Sequence, residues 1–287
     1  MIGYLLILIF SFCHLGESIA VKEYAKRYGS GGMLMNAVIA LFAALFFLLT
    51  DKGGFFVPQG MLPMALVNAL LYAAGFYFTY AAFRIGPYGL TRLFSSFSLL
   101  FGVFYGILFL KEPTTALTYI GLSLIALAMV LINYRPKKAD EAGVISPKWL
   151  LCLCISVAAN GFIGILTRMQ QLRFENACSN EFQFISIGGA FLLLLVLGLV
   201  NDRDKLKGVL KNGTLYGGGA GLLNGAKNLL TLAVYLYVPI SVAGPIMTGL
   251  GMVLAYLAAI LLYREKYTAQ QKLGVAAGAV AVVLLAL

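Results

Sequence analysis

The chain has 287 residues, 61% hydrophobic and only 11% charged, with a mean hydropathy of +0.91; soluble domains carry about a quarter charged residues, so a water-soluble fold is excluded and an integral membrane protein is expected. The net charge of +10 is spread over many loops and forms no single patch, which suits loops facing anionic lipid and cytoplasm and argues against nucleic acid as a partner. Cys13, Cys152, Cys154 and Cys178 have neither zinc nor redox spacing and read as buried thiols, so no metal or cofactor is expected.

A bilayer crossing takes about 20 apolar residues. Ten such spans are expected, at 2–22, 33–50, 62–83, 89–110, 114–133, 148–167, 182–200, 214–236, 241–263 and 267–287. The N-terminal run lacks the basic start and small-residue cleavage site of a signal peptide and is expected to stay as the first span. It places Ser11, His14, Glu17 and Ser18 on one stripe about 120° wide. Glu17 is the only acid inside any span, and His14 is the only histidine of the chain. Groups of this kind can change protonation as solvent access alternates, so Glu17 and His14 are expected to couple protons. The plainer alternatives are that Glu17 pairs with Lys227, or snorkels among Lys22, Glu23 and Lys26.

Polar stripes recur further along: Asn68, Tyr72 and Thr79 in the third span, Thr91, Ser95 and Ser98 in the fourth, Ser156 and Asn160 in the sixth. Asn68, Tyr72, Ser95 and Asn160 are therefore expected to line a substrate cavity. Phe76, Tyr77, Phe78 and Tyr80 in the third span, and Phe94, Phe97, Phe101, Phe104 and Tyr105 in the fourth, would either wall it or face lipid. The eighth span carries the ladder Gly213, Gly217, Gly221 and Gly225, whose spacing brings helix backbones close. Lys227 stands in its middle with Asn224 one turn before it and Asn228 next to it, and such a charge at depth costs about 2.5 to 3.5 kcal/mol. These three are expected to bind a polar group of a small-molecule substrate. In the ninth span, Gly244 with Pro245 could act as a hinge.

The chain repeats itself. Residues 107–132 and 260–285 align without a gap at a displacement of 153, with ten of 26 positions identical. Thr79, Ala81 and Pro87 match Thr231, Ala233 and Pro239 at 152, and Leu5, Leu6, Ser11 and Gly16 match Leu150, Leu151, Ser156 and Gly161 at 145. The expected architecture is all-α, with ten transmembrane helices as two five-helix repeats, 1–133 and 148–287, joined by a linker over 134–147. Five spans is an odd number, so the second repeat must be inverted relative to the first, with a site near the midplane between them. Lys227 and Glu17 have Gly75 and Phe162 as repeat counterparts, so these charges belong to one half only.

Two five-helix halves, each ending in a loop with Glu112 or Glu265 and a last helix with Gly121 or Gly274, resemble the drug/metabolite transporter superfamily in its ten-helix EamA-like branch. The resemblance implies a secondary active transporter that moves a metabolite or drug-like molecule by alternating access. A lipid-linked sugar flippase or a nucleotide-sugar-type exchanger on the same fold is the alternative it leaves. Glu112 and Glu265 read as caps and loop organisers at helix starts. With the N-terminus outside, fifteen loop Lys and Arg fall on the cytoplasmic side against Lys52, Lys111, Arg168 and Arg173 on the other, so both termini are expected outside, unlike relatives described with both termini in the cytosol. No HxxxH, HExxH or paired carboxylate at depth supports an enzyme, and the charges confined to one half argue against a channel. The absence of a retrieval signal at the C-terminus fits a bacterial cytoplasmic membrane. Oligomeric state, monomer or homodimer, is left open.

Overall fold

The protein is described by a computed structural model over residues 1–51, 53–133, 146–264 and 267–287, side chains 88, 89 and 133 excepted. All of the regular structure among the described residues is helical: α1 (Ile2–Tyr28), α2 (Gly32–Thr50), α3 (Met61–Ile85), α4 (Tyr88–Ser96), α5 (Leu99–Phe104), α6 (Ala116–Asn133), α7 (Pro147–Arg173), α8 (Ser179–Asn201), the single turn α9 (Leu206–Gly208), α10 (Thr214–Val234), α11 (Ile240–Tyr263) and α12 (Ala269–Ala286). Among the described residues eight helices are long and apolar enough to cross a membrane, counting Leu90–Phe109 as one of them. The other two expected spans are helices as well. Ala116–Ile132 is apolar but shorter, and α10, with 21 residues, is diluted by glycine, asparagine and Lys227. Outward faces carry unpaired apolar side chains such as Leu49, Leu66, Leu70, Val196, Val200, Leu215, Leu261 and Val283, the surface that lipid covers in an integral membrane protein.

Several helices outrun their apolar windows. α1 continues through Lys22, Lys26 and Arg27 to Tyr28, and α7 continues through Arg168 to Arg173, because nothing in either segment breaks the backbone ladder once the apolar run ends. The fourth span departs the other way. It is interrupted after Ser96, where Phe97 and Ser98 donate to Phe94 and Ser95 in tight three-residue turns, and it ends in a π turn over Tyr105–Phe109. The Ser96 hydroxyl donates back to the Arg92 carbonyl, the local competition by which serine bends helices. At Gly244–Pro245, the position read as a hinge, α11 runs through without interruption and Pro245 sits inside it. The cysteines are not uniformly buried either, since Cys154 faces outward while Cys152 is enclosed.

Packing follows the repeat. With α1, α2, α3, α4–α5 and α6 matched to α7, α8, α10, α11 and α12, each principal contact has its exchanged twin. α1 packs on α10 as α7 does on α3, α2 on α10 as α8 on α3, and α11 on α12 as α4 on α6, while α2·α8, α5·α11 and α6·α12 pair equivalents. A Cβ at Gly121, near the start of α6, would lie 2.6 Å from Leu285 at the end of α12, and one at Gly274 would lie 2.8 Å from Leu131 at the end of α6. These repeat-related helices therefore run antiparallel. Gln270 and Gln271 fasten the same crossing by donating to the Leu131 and Ile132 carbonyls. The glycine ladder of α10 does what its spacing implied: a Cβ at Gly221 would stand 2.5 Å from the Ile39 carbonyl of α2, and one at Gly225 would stand 2.7 Å from Phe46.

Candidate functional site

Glu17 and Lys227 meet at mid-length of α1 and α10. Gly16 lets α10 come close there, since a Cβ on it would lie 2.9 Å from Leu223. Lys227 Nζ donates to Glu17 Oε2 at 2.6 Å, and Asn224 Nδ2 donates to Glu17 Oε1 at 2.7 Å. Both carboxylate oxygens are thus engaged, which is what a charge at this depth requires. The side chains of Lys227 and Glu17 are only 17% and 15% exposed. His14 Nδ1 lies 3.7 Å from Glu17 Oε2 and forms a second ion pair when the imidazole is protonated. His14 itself is about half exposed, stacked on Phe10.

The network continues along α10. Asn228 Nδ2 donates to the Asn224 carbonyl at 3.0 Å and to Asn224 Oδ1 at 2.8 Å, and the Tyr72 hydroxyl of α3 donates to Asn228 Oδ1 at 3.5 Å. The two groups read separately from the sequence, Lys227 with Asn224 and Asn228, and Glu17 with His14, form one assembly with Tyr72. The glycine ladder and the asparagines occupy neighbouring faces of α10, the first against α2 and the second toward α1 and α3.

The remaining expected residues lie elsewhere. Asn160 is on α7, where its amide donates to the Ser156 carbonyl and packs on Gly75, within 3.1 Å of where a Cβ there would stand. Gly75 is the repeat counterpart of Lys227, so an asparagine fills the space that its missing side chain leaves. Asn68 is fully buried in α3 with neither amide atom hydrogen-bonded, and the Ser95 hydroxyl is likewise buried without a partner. Thr79 and Ser156 bond each other. Phe76, Tyr77 and Tyr80 pack into the core shared with α2 and α8, whereas Phe94 and Phe104 face outward.

Glu112 has a role that its sequence position hid. It does not open α6, which starts at Ala116. Its Oε1 accepts the Ile240 N–H at 3.0 Å and its Oε2 the Ser241 N–H at 2.9 Å, with the Ser241 hydroxyl as a third donor. It thereby caps the first turn of α11 in the other half, where the helix dipole favours an anion. Glu265 and residues 134–145 of the linker lie outside the described residues. α12 is capped by Thr268 through a capping box with Gln271.

Asp202 carries no mark in the sequence. It follows α8, is 2% exposed, and accepts the Met33 N–H at the start of α2 as well as the Lys205 ammonium. Burial raises its pKa, but Lys205 and the Met33 N–H outweigh burial and hold the carboxyl below its usual range. The Asp202 hydrogen bond raises Lys205 in turn. An acid one residue after a helix is ordinary in a sequence, so only its contact across 169 positions reveals it. A depression of about 390 Å³ at one end of the bundle, lined by Met1, Ile2, Gly3, Tyr4, Tyr237 and Val238, holds none of these polar groups.

No curated protein matches the chain. Among solved structures, one crystal structure aligns over 99% of this chain and 94% of its own with a TM-score of 0.73 at 12% identity, a likeness of fold alone. The family profile described as "EamA-like transporter family" matches twice, over residues 1–134 and 147–287, the two units that the internal repeat delimits. The chain therefore belongs to the EamA-like transporter family of the drug/metabolite transporter superfamily, whose members are transporters.

Proposed function

We propose that the protein is a secondary active transporter in which ten membrane helices form two inverted five-helix repeats, moving a small metabolite or drug-like molecule by alternating access. The observation that carries this reading is the Lys227–Glu17 bridge at mid-length, because it ties α10 of one half to α1 of the other. A buried charged contact between helices of the two halves must break, exchange or be shielded if solvent access at it alternates, which suits it to gating. The antiparallel crossing of α6 and α12 supports the inverted arrangement, since repeat-equivalent helices run in opposite senses only if the halves enter the membrane in opposite senses. The loop charge supports both termini outside, in a bacterial cytoplasmic membrane.

Within this scheme Asn224, Asn228 and Tyr72 offer hydrogen bonds to a substrate that enters between the halves, with Asn68, Ser95 and Asn160 on the surrounding helices. Glu17, with His14 beside it, takes a proton when Lys227 is drawn away, which couples flux to a proton gradient. The test is flux in proteoliposomes from a panel of radiolabelled amino acids, organic cations and nucleotide sugars. Wild type is expected to move at least one class, faster when a pH gradient is imposed, and Glu17→Gln is expected to lose the dependence on the gradient. Flux of no class, or an unchanged pH dependence in Glu17→Gln, overturns the transporter or the coupling reading respectively.

A further inference from the structure

Arg168 differs from the other basic residues near the interior. Lys227 is neutralised by Glu17 and Lys205 by Asp202, whereas Arg168 makes no ion pair or hydrogen bond among the described residues, and its Nε is buried without a partner. It lies on the face of α7 that meets the end of α10. A Cβ at Gly164, one turn before it, would reach Tyr235 Oη at 4.0 Å, and Gln171, one turn after it, donates to the Leu232 carbonyl. A Cβ at Gly161, two turns before it, would run into Phe101 of α5, and Tyr105 follows Phe101 by one turn, opening the π turn that closes the fourth span. π turns mark functional positions more often than ordinary helix does. Arg173, five residues on, shows what a merely anchoring arginine looks like, for it lies over the Phe174 ring and against Gly60.

The repeat sharpens the point. At the displacement of 145 the counterpart of Arg168 is Glu23, and that residue is satisfied by Arg27 at 3.6 Å. The unpaired guanidinium is therefore a feature of one half only, and the repeat does not require it. Tyr235 follows Lys227 by eight residues, about 12 Å along the chain at 1.5 Å per residue, so Arg168 stands toward one end of the bundle from the Glu17–Lys227 pair.

We propose that Arg168, flanked by Tyr105 and Tyr235, is an oxyanion-recognition site that takes the carboxylate or phosphate of the substrate at one end of the path between the halves. This rests on the transporter reading and adds to it the charge class of the cargo. A guanidinium presents a planar fork that grips such a group in bidentate fashion, and the phenols add two donors beside a wall of rings.

The test is the thermal stability of the purified full-length protein in detergent, with sodium benzoate, sodium phosphate or neutral benzamide at constant ionic strength, each with and without phosphatidylglycerol. Tm is expected to rise with benzoate or phosphate concentration and saturate, and to stay flat with benzamide. Arg168→Gln should lose the response. Arg168→Lys, which keeps the charge and decides the matter if Arg168→Gln does not fold, should weaken it about tenfold, the equivalent of about 1.4 kcal/mol. A response to benzoate identifies a carboxylate site and one to phosphate alone a phosphate site, and either supports the assignment. No response to either ion, or an equal response in both Arg168 variants, overturns it, as does a response that phosphatidylglycerol abolishes, since the site then belongs to a lipid headgroup. Flux in proteoliposomes without Arg168-dependent binding sinks this assignment alone, and Arg168-dependent binding without flux sinks the transporter reading alone.

Discussion

Glu17 Oε2 and Lys227 Nζ stand 2.6 Å apart although 210 residues separate them, so the middle of the bundle is held by one charge from each half. Breaking one partner leaves the other buried and unpaired, which costs about 3 to 5 kcal/mol, whereas replacing both with apolar groups of similar volume is close to neutral. Glu17→Leu and Lys227→Met are each expected to lower Tm markedly, and the double variant to recover most of the loss. A double variant as unstable as the sum of the singles would show that the two side chains act independently.

Glu112 receives two backbone N–H groups and a hydroxyl at the start of α11. Hydrogen bonds to a charged acceptor are worth about 1.5 to 3 kcal/mol each. Glu112→Ala is expected to destabilise by more than one such bond, and Glu112→Gln, which keeps one acceptor, by less. Hydrogen exchange should rise at Ile240 and Ser241 in both, while the exchange at α2 and α8 stays as in wild type. A change spread evenly over the bundle would refute the local cap.

The glycine ladder makes a matched pair of substitutions available on one helix. A Cβ at Gly221 meets backbone at 2.5 Å, and one at Gly219 meets nothing within 4 Å. Gly221→Ala should therefore force α10 from α2 and lower Tm, while Gly219→Ala should raise it slightly, by up to about 1 kcal/mol, since alanine is the better helix former. Equal effects would mean that the close approach does not hold these helices.

Asp202 and Lys205 set a pH window for stability. The Asp202 carboxyl is held below its ordinary value of 3.8, so its contribution is present above about pH 4 and lost as pH falls through the folded-state value. Lys205 is raised above 10.5, so its contribution is present below that value and lost as pH rises through the folded-state value. The Tm difference between wild type and Asp202→Asn should thus be constant across neutral pH and shrink toward both the acid and the alkaline extremes. A difference that shrinks between pH 6 and 8 would assign the titration to another group.

The eight helices long enough to cross a membrane were legible because each is an apolar run of nearly the right length, and the repeat was legible because Glu112, Gly121 and their neighbours recur at a fixed displacement. What the sequence concealed were contacts between halves. Glu112 sits beside the helix it precedes in sequence but caps one that begins 128 residues later. Arg168 fell outside a span drawn to end at 167, because hydropathy ends where charge begins, while the backbone ladder of α7 runs on to Arg173. The break after Ser96 was missed for the opposite reason. Hydropathy does not register a hydroxyl that bonds to its own helix, and the proline that drew attention in α11 is accommodated within it. The pairing of Glu17 with Lys227 was one of two plain readings of those residues, and only the crossing of α1 with α10 selects it.

That crossing also bears on how the chain is made. Glu17 emerges from the ribosome 210 residues before its partner, and α1, α2 and α3 all find their principal neighbours in helices synthesised later. The first half thus lacks its main packing partners until the second half is made, α3 and α2 gaining theirs with α7 and α8, and Glu17 its cation only with α10.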